Sequence, residues 1–244
     1  ADAAADAAAD AAADAAADAA AAADADAAAD ATADARDPRA GVAAFSDGSC
    51  PRNGRAGARA SFAAVLAGGP FGAAAVVRGE VAPFEYALVD ERAPGRGVRP
   101  TGAPAAPSNN RGELLGLVHC FLGLLRGRAL GRVEVWSDSE VCVRTLLEWL
   151  PARLAKGTER GLKNFDLVWA AWRLLEALRA QAASVALAHV RSHRPAPGPG
   201  APGRERLAWR GNRLADRHAG QALADRPDYA PQVLGGPPAL RAGP

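Results

Sequence analysis

The sequence predicts an α/β fold with a mixed sheet, antiparallel strands first and parallel strands after them, flanked by helices. Two patterns indicate this fold. Short apolar runs separated by Gly or Pro follow one another from residue 41, as in antiparallel strands. Beyond residue 108, helical and strand patterns alternate, as in parallel strands joined by helices. With 244 residues, 49% of them hydrophobic, the chain has ample material for one domain with a buried core.

Residues 1–40, the N-terminal leader, differ in composition from the rest of the chain. They are almost entirely Ala and Asp, and the first five Asp are spaced by four, so that like charges would share one helical face. Without an apolar face to dock, we expect a solvated, low-complexity tail; an acidic decoy for a basic groove is the alternative. The leader carries a charge of −8, which leaves +10 on the remaining 204 residues. A basic body suits a polyanionic partner.

The first half of the domain is predicted to hold the antiparallel strands and one helix. The strand patterns cover residues 41–47, 60–66, 72–81 and 84–90. The following segment, 111–125, places apolar side chains at helical spacing and has Asn109 or Asn110 available as its cap. These apolar residues are Leu114, Leu117, Val118, Phe121 and Leu125. We therefore expect this helix to pack on the sheet.

The second half alternates strands with helices. A strand at 133–138 leads directly into a helix at 139–150, which Pro151 is expected to close. A long amphipathic helix, a last strand and a final helix follow, at 164–180, 184–190 and 211–225. The connection 191–210 is rich in Pro and Gly and is expected to be flexible, and 226–244 are expected to form a loose tail. The predicted domain therefore spans 41–225.

Cysteine content and targeting signals indicate an intracellular protein, in the cytoplasm or nucleus. Cys50, Cys120 and Cys142 are odd in number and form no CxxC pair, so we expect reduced core residues rather than disulfides or a zinc knuckle. No apolar run approaches the roughly 18–20 residues of a membrane span, and the N-terminus carries Asp where an export signal carries Lys or Arg. We expect neither secretion nor membrane binding. The sequence lacks Met at its start, which is typical of a fragment or a trimmed chain.

Four carboxylates stand at the boundaries of predicted elements. Asp47 and Asp138 end strands, Glu113 lies in the first turn of a helix, and Asp216 lies inside the last helix. Taken singly, each has an ordinary explanation as a turn, cap, helix-dipole or exposed acid. Carboxylates at strand ends of an open sheet can converge on one edge, where hard oxygen ligands bind Mg²⁺. Two such ions about 4 Å apart can hold the attacking and leaving oxygens of a phosphodiester.

Six motifs resemble, in order, those of type 1 ribonuclease H. They are DGSCPRNG (47–54), SNNRGEL (108–114), SDSEV (137–141), LKNFDL (162–167), HVRSH (189–193) and GNRLAD (211–216), and together they span about residues 41–224. The resemblance implies the ribonuclease H-like fold, with a five-stranded mixed sheet flanked by helices. It also implies hydrolysis of the RNA strand of RNA/DNA hybrids, which leaves 5′-phosphate and 3′-hydroxyl ends.

The resemblance assigns the four carboxylates to two Mg²⁺ ions, with Mn²⁺ as the alternative metal. Asp47 matches the ligand that bridges both ions. Glu113 and Asp138 match ligands of the ion on the leaving-group side, and Asp216 matches a ligand of the ion that holds the attacking water. His193 matches a mobile-loop histidine that assists proton transfer or product departure. The segment between His193 and Asp216 is longer than the usual family loop.

Three asparagines match residues that bind the RNA strand. Asn53, Asn109 and Asn110 match groups that hydrogen-bond in the RNA minor groove, where the 2′-hydroxyl distinguishes RNA from DNA. Their alternative role is loop and cap chemistry. Trp149 matches an aromatic residue that packs against DNA sugars, and the alternative is a core aromatic.

Ser108 and Asn164 resemble members of a pocket that grips a DNA phosphate. The family often has an Arg two positions before the hydroxyl residue, but this chain has Ala106 there. Arg96 or Arg99 is our candidate replacement for that missing charge.

Residues 151–163 resemble a shortened form of the family's basic handle for the hybrid. Phosphate contacts from this segment would make binding salt-dependent, whereas a solvated charged loop is the alternative. The basic residues concerned are Arg153, Lys156, Arg160 and Lys163.

The first functional hypothesis is an active monomeric endoribonuclease on RNA/DNA hybrids, which removes primers in DNA replication or hybrids formed by transcription. The second is a catalytically silent hybrid-binding domain with the same fold. The third is the ribonuclease H segment of a retroelement polyprotein. A DNA-cutting relative is disfavoured by the three asparagines expected to bind 2′-hydroxyls.

Overall fold

The computed structural model describes residues 41–72, 74–192, 194–198, 200–225 and 232–234. The expectations for the N-terminal leader and for most of the C-terminal tail fall outside these ranges. Within them, no helix combines the length and the apolar character that a membrane span requires.

A mixed sheet organises the domain, as predicted. Its five expected strands are β1 (Val42–Ser49), β2 (Ser61–Ala67), β3 (Ala75–Glu80), β6 (Arg132–Ser137) and β7 (Ser184–His189). Strand β1 is central: it pairs antiparallel with β2 and parallel with β6, while β3 follows β2 and β7 follows β6. The parallel register sets Ser46 beside Ser137. The residues that follow these two serines therefore emerge side by side at one edge of the sheet.

Two features of the strands differ from the prediction. The strand expected at 84–90 does not join the main sheet: β4 (Phe84–Leu88) pairs with β5 (Val98–Pro104) in a separate two-stranded sheet, with an irregularity in register after Phe84. Strand β5 was missed because its sequence, VRPTGAP, holds two prolines and a glycine. A short sixth strand, β8 (Gln232–Leu234), extends the main sheet at β3, within the segment expected to be a loose tail.

The longer helices are confirmed with altered starts. They are α1 (Asn109–Arg126), α4 (Phe165–Gln181) and α5 (Gly203–Asp225). Ser108, not Asn109 or Asn110, caps α1, and its Oγ accepts a hydrogen bond from the Arg111 N–H at 3.4 Å. Helix α5 begins well before residue 211, so part of the connection expected to be flexible is helical.

Pro151 does not end the helix that follows β6. The segment runs as α2 (Glu140–Arg144), a π-helical turn (Thr145–Trp149) and α3 (Leu150–Leu154). Proline lacks an N–H, and its ring clashes with the carbonyl four residues earlier in a regular helix. The wider π turn ends two residues before the proline, which explains how the helix continues past it.

Two apolar layers cover the main sheet. One layer packs the sheet against α1 and α4 and includes Phe62, Leu66 and Phe121. The other packs α5 on the opposite face and includes Phe45 and Trp136. Cys50, Cys120 and Cys142 are buried and free, in agreement with the expectation of reduced core residues.

Glycines allow the helices to approach the sheet closely. A Cβ atom on Gly48 of β1 would lie 2.2 Å from the Glu113 backbone N, and one on Gly112 would lie 2.4 Å from the Ser61 carbonyl O. On the other face, a Cβ on Gly211 would lie 2.3 Å from the Phe45 ring. Since such distances are sterically forbidden, larger side chains would displace α1 or α5 from strand β1.

We expect Gly211→Ala to lower the free energy of unfolding by about 1–3 kcal/mol, because the added methyl overpacks the buried Phe45 ring. Gly220→Ala on the same helix is the matched control, since a Cβ there meets no atom within 4 Å. That substitution should raise stability by about 0.5–1 kcal/mol through helix propensity. Urea unfolding of both variants measures the difference. Equal effects of the two substitutions would contradict the proposed close packing of α5.

Candidate active site

Three of the four expected carboxylates meet at one edge of the main sheet. One carboxylate oxygen from each of Asp47, Glu113 and Asp138 lies within 4.8 Å of the other two. Asp47 lies near the end of β1 and Asp138 directly follows β6, so the parallel register of these strands brings them together. Glu113 lies one turn into α1, and the close glycine contacts bring its backbone against β1. We call these three residues the carboxylate cluster.

Burial and mutual repulsion raise the pKa values in the carboxylate cluster. Burial is the largest cause for Asp47, which is 5% exposed; the charges of Asp138 and Asp216 add to it and raise its pKa to about 8. Burial, followed by the charges of Asp47 and Asp138, raises the pKa of Glu113 well above its usual range. The backbone N–H of Gly48 opposes both shifts. Without a cation, the cluster therefore holds protons near neutral pH.

The cluster has oxygen atoms suited to a divalent cation. Within the described residues, Glu113 Oε2 and Asp138 Oδ1 are buried and have no hydrogen-bond partner. Buried carboxylate oxygens are normally hydrogen-bonded, paired or bound to a metal. Hard oxygen ligands in a site of concentrated negative charge fit Mg²⁺ or Mn²⁺. The residues present therefore fit such an ion.

Asp216 lies on α5, opposite the cluster. Its side chain is exposed, and it is not among the three carboxylates whose oxygens lie within 4.8 Å of one another. Its charge nevertheless contributes to the raised pKa of Asp47. The fourth expected carboxylate thus lies near the cluster without joining its tight core.

Two of the predicted asparagines connect to the cluster. The Asn53 Oδ1 accepts a hydrogen bond from the Asn109 backbone N–H at 3.2 Å, which joins the turn after β1 to the start of α1. The Asn109 Nδ2 donates to the Glu113 Oε1 at 3.4 Å. The structure thus brings amide groups beside the carboxylates.

A groove of about 290 Å³ lies between α1 and the helical segment from residue 140 to 154. Asn110, Trp149, Arg153 and Asn164 are among its lining residues. Trp149 is 37% exposed, and the Arg144 guanidinium lies 5.4 Å from its ring centroid. Trp149 therefore presents an aromatic surface to the groove rather than filling the core.

A second groove, of about 800 Å³, holds the residues of the expected phosphate pocket. Ser108 and Asn164 both line it, and Asn164 adopts a left-handed backbone conformation, φ 56°, directly before α4. Arg160 and Lys163 supply its exposed cations. Arg96 and Arg99, the candidate replacements, are not among the lining residues. Arg96 instead forms an exposed ion pair with Asp90 at 3.7 Å.

An ion pair that sequence analysis missed supports this second groove from below. The Arg111 guanidinium donates to both carboxylate oxygens of Asp166, at 3.0 and 2.8 Å, and to the Phe84 carbonyl at 2.8 Å. Asp166 also accepts the Tyr86 N–H at 2.9 Å. The pair therefore ties together α1, α4 and β4. Arg111 and Asp166 could have been noticed in the sequence, because each lies inside a motif, SNNRGEL or LKNFDL, in which other residues had been given a role.

The structure describes His189 of the HVRSH motif but not His193. His193 lies outside the described residues, so its predicted role is untested. His189, at the end of β7, is exposed, and its Nε2 lies 3.1 Å from the Asp138 carbonyl O. A histidine thus borders the carboxylate cluster on the β7 side.

Comparison with known sequences identifies relatives of this chain. The RNase H family model matches residues 39–224. A ribonuclease H from Ralstonia nicotianae is 35% identical over 81 residues, which cover 32% of this chain and 49% of that protein. The chain thus spans about half the length of this curated relative.

Solved structures include similar chains. LC9-RNase H1, a type 1 RNase H with the type 2 active-site motif, is 20% identical, with a TM-score of 0.48 over 76% of this chain and 74% of that one. RNase H1 from the halophilic archaeon Halobacterium salinarum is 20% identical, with a TM-score of 0.40 over 76% of this chain and 99% of that one. The family model spans well over half of the residues. The chain therefore belongs to the RNase H family.

Proposed function

We propose that this chain is an endoribonuclease that hydrolyses the RNA strand of RNA/DNA hybrids by a two-metal-ion mechanism. The observation that carries the proposal is the carboxylate cluster, three acidic groups gathered within 4.8 Å with buried oxygens free to bind cations. Family membership supports the choice of substrate. The products are a 5′-phosphate and a 3′-hydroxyl. The cellular substrates are primers or transcription hybrids in an intracellular compartment, and the protein acts as a monomer.

Asp47, Glu113 and Asp138, joined by Asp216 from α5, would hold the two cations, Mg²⁺ or Mn²⁺. When bound, these cations acidify the attacking water and neutralise charge on the leaving oxygen. The chain's own part is to keep the four carboxylates in place before substrate arrives. The parallel pairing of β1 with β6 and the contact of Gly48 with α1 support this role for Asp47, Glu113 and Asp138. The packing of α5 on β1 supports it for Asp216. His193, which follows β7 in the sequence, would assist proton transfer or product departure.

Recognition of the RNA strand rests on the asparagines near the cluster. Asn53, Asn109 and Asn110 would hydrogen-bond in the minor groove of the hybrid, where the 2′-hydroxyl marks the RNA strand. The bond from Asn109 to Glu113 supports this proposal, because it joins a recognition residue to a catalytic carboxylate. Selection of RNA and positioning for cleavage would then occur together.

Recognition of the DNA strand rests on the two grooves. Trp149 would pack against DNA sugars, and Ser108 with Asn164 would bind a DNA phosphate. Arg160 and Lys163 supply the positive charge there that Ala106 does not, because both line the same groove as Ser108. Their exposure leaves them accessible to a phosphate.

Cleavage of a labelled RNA/DNA hybrid tests the proposed function directly. We expect RNA-strand cleavage with Mg²⁺, none with EDTA, and none of duplex DNA or duplex RNA. Asp138→Asn should lower the rate by roughly 100-fold or more, because the cluster then has one cation ligand fewer. Hybrid binding in EDTA should be retained, which shows that the variant is folded. Folded protein that binds the hybrid but does not cut it with Mg²⁺ or Mn²⁺ would identify a silent binding domain instead.

Removal of the Asp47 charge should stabilise the cation-free protein at high pH. The folded-state pKa of Asp47 is about 8, above its ordinary value of 3.8, so stability is lost as pH rises through that range. In EDTA at pH 9, Asp47→Asn should therefore raise the free energy of unfolding by about 1–3 kcal/mol. The difference should vanish near pH 4, and Mg²⁺ should stabilise the parent chain more than the variant. Lower stability of the variant at pH 9 would contradict the repulsion inferred for the cluster.

Arg160→Ala/Lys163→Ala tests the phosphate groove. We expect KM for the hybrid to rise and kcat to stay unchanged, because these cations bind ground state and transition state equally. The slope of log affinity against log salt should fall by about 0.7–0.9 for each phosphate that the variant no longer binds. Arg179→Ala on the outer surface of α4 is the control. An unchanged KM and salt slope in the double variant would overturn the proposed role of these cations.

A further inference from the structure

A larger net positive charge than that of the handle segment lies elsewhere in the chain. Residues 191–217 contain seven Arg against Glu205 and Asp216, a net charge of +5. The handle, 151–163, carries +3. Half of the net charge of +10 on residues 41–244 is thus carried by the connection after β7 and by α5 as far as residue 217. The segment also contains His193 and Asp216, but its seven arginines have no role in the site described above; we call it the arginine-rich segment.

A cavity of about 690 Å³ lies within this segment, between the ends of β6 and β7 and helix α5. We call it the arginine cavity. Three guanidinium groups, two indoles and one imidazole are among its lining side chains. They belong to Trp136, His189, Arg191, Arg194, Arg204 and Trp209.

The two tryptophans of the arginine cavity each contact an arginine of the cavity. The Arg204 guanidinium lies 4.3 Å from the Trp136 ring centroid, and its Nε donates to Glu134 at 2.9 Å. The Trp209 Nε1 donates to the Arg194 carbonyl at 2.9 Å, which fixes this indole against the connection. Arginine and aromatic surfaces together are the chemistry that binds unpaired nucleotides, through phosphate contacts and base stacking.

Two further observations indicate a polar anionic ligand. Trp136 is 7% exposed, and its Nε1 is buried without a hydrogen-bond partner among the described residues. An unpaired buried donor costs free energy that an acceptor oxygen would recover. The side chains of Arg191 and Arg194 are exposed and form no ion pair within the described ranges. Their charges are therefore available to a ligand.

The arginine cavity adjoins the carboxylate cluster. Trp136 lies in β6, two residues before Asp138. His189 lines the cavity and also lies 3.1 Å from the Asp138 carbonyl. A nucleic-acid strand that leaves the carboxylate cluster on the β7 side would reach the arginine cavity next.

We propose that the arginine cavity binds a single-stranded extension of the substrate, one or two nucleotides beyond the hybrid. The proposal rests on the proposed function, because the cluster must hold the hybrid for an extension to reach the cavity. The volume falls within the range of small-ligand sites, and so admits unpaired nucleotides but not a duplex. Arg191 and Arg194 contact phosphate, while Trp209 provides the stacking surface.

The test compares a blunt hybrid with hybrids that carry a short single-stranded extension at each of the four strand ends in turn. Binding to the full chain is measured by fluorescence anisotropy in EDTA, and cleavage is measured separately with Mg²⁺. We expect one extended hybrid to bind roughly tenfold more tightly than the blunt one. Arg191→Ala/Arg194→Ala should abolish that difference and leave cleavage of the blunt hybrid unchanged.

Arg92→Ala/Arg179→Ala, which removes two exposed arginines of the α4 side, is the control for net charge. It should retain the preference for the extended hybrid. Equal affinity for blunt and extended hybrids, or equal loss in both double variants, would overturn the proposal. Failure to cut the blunt hybrid, with the preference for an extension intact, would count against the proposed function alone. Binding of the extended hybrid therefore tests the arginine cavity, and cleavage of the blunt hybrid tests the proposed function.

Discussion

Repulsion among buried carboxylates is the constraint that the rest of this structure must satisfy. Asp47, Glu113 and Asp138 lie within 4.8 Å of one another, and burial raises the pKa of the first two. Such a cluster opposes folding unless protons or cations neutralise it. The opposition is overcome by rigid elements, namely the central strand β1, its parallel neighbour β6 and helix α1. The same strain prepares the cluster for cations, since a divalent ion replaces the protons that would otherwise be held there.

Helix α1 joins the carboxylate cluster to the residues proposed to recognise the substrate. Gly112 brings the helix against the sheet, which places Glu113 in the cluster, and one turn earlier Asn109 donates to Glu113. The buried pair of Arg111 and Asp166 then fixes α1 to α4 beneath the groove expected to bind DNA phosphate. Because one helix carries all these contacts, a displacement of α1 would disturb the cation site and both grooves together. The glycine contacts thus matter more for function than their contribution to stability alone.

Local patterns in the sequence predicted the elements that carry the carboxylate cluster. They did not predict the features that depend on contacts between residues far apart in the chain. Short apolar runs located β1 and β6, so the positions of Asp47 and Asp138 at the ends of strands followed from the sheet. Strand β5 was missed because its prolines and glycine hide the extended pattern, and Pro151 was misread because a π-helical turn precedes it. No local signal places Arg160 and Lys163 beside Ser108, since the handle returns to that groove only in the folded chain.

The distribution of positive charge explains how an acidic site could hold a negatively charged substrate. A cluster of carboxylates repels the phosphodiester that it must cut, and cations offset only part of that repulsion. Handle residues line a groove beside α1, and the arginine cavity is lined by His189, whose Nε2 lies 3.1 Å from the Asp138 carbonyl O. In these proposals the handle attracts phosphates of the hybrid, and the arginine cavity attracts phosphates of a single-stranded extension. Binding would thus depend on these basic residues, and cleavage on the carboxylates.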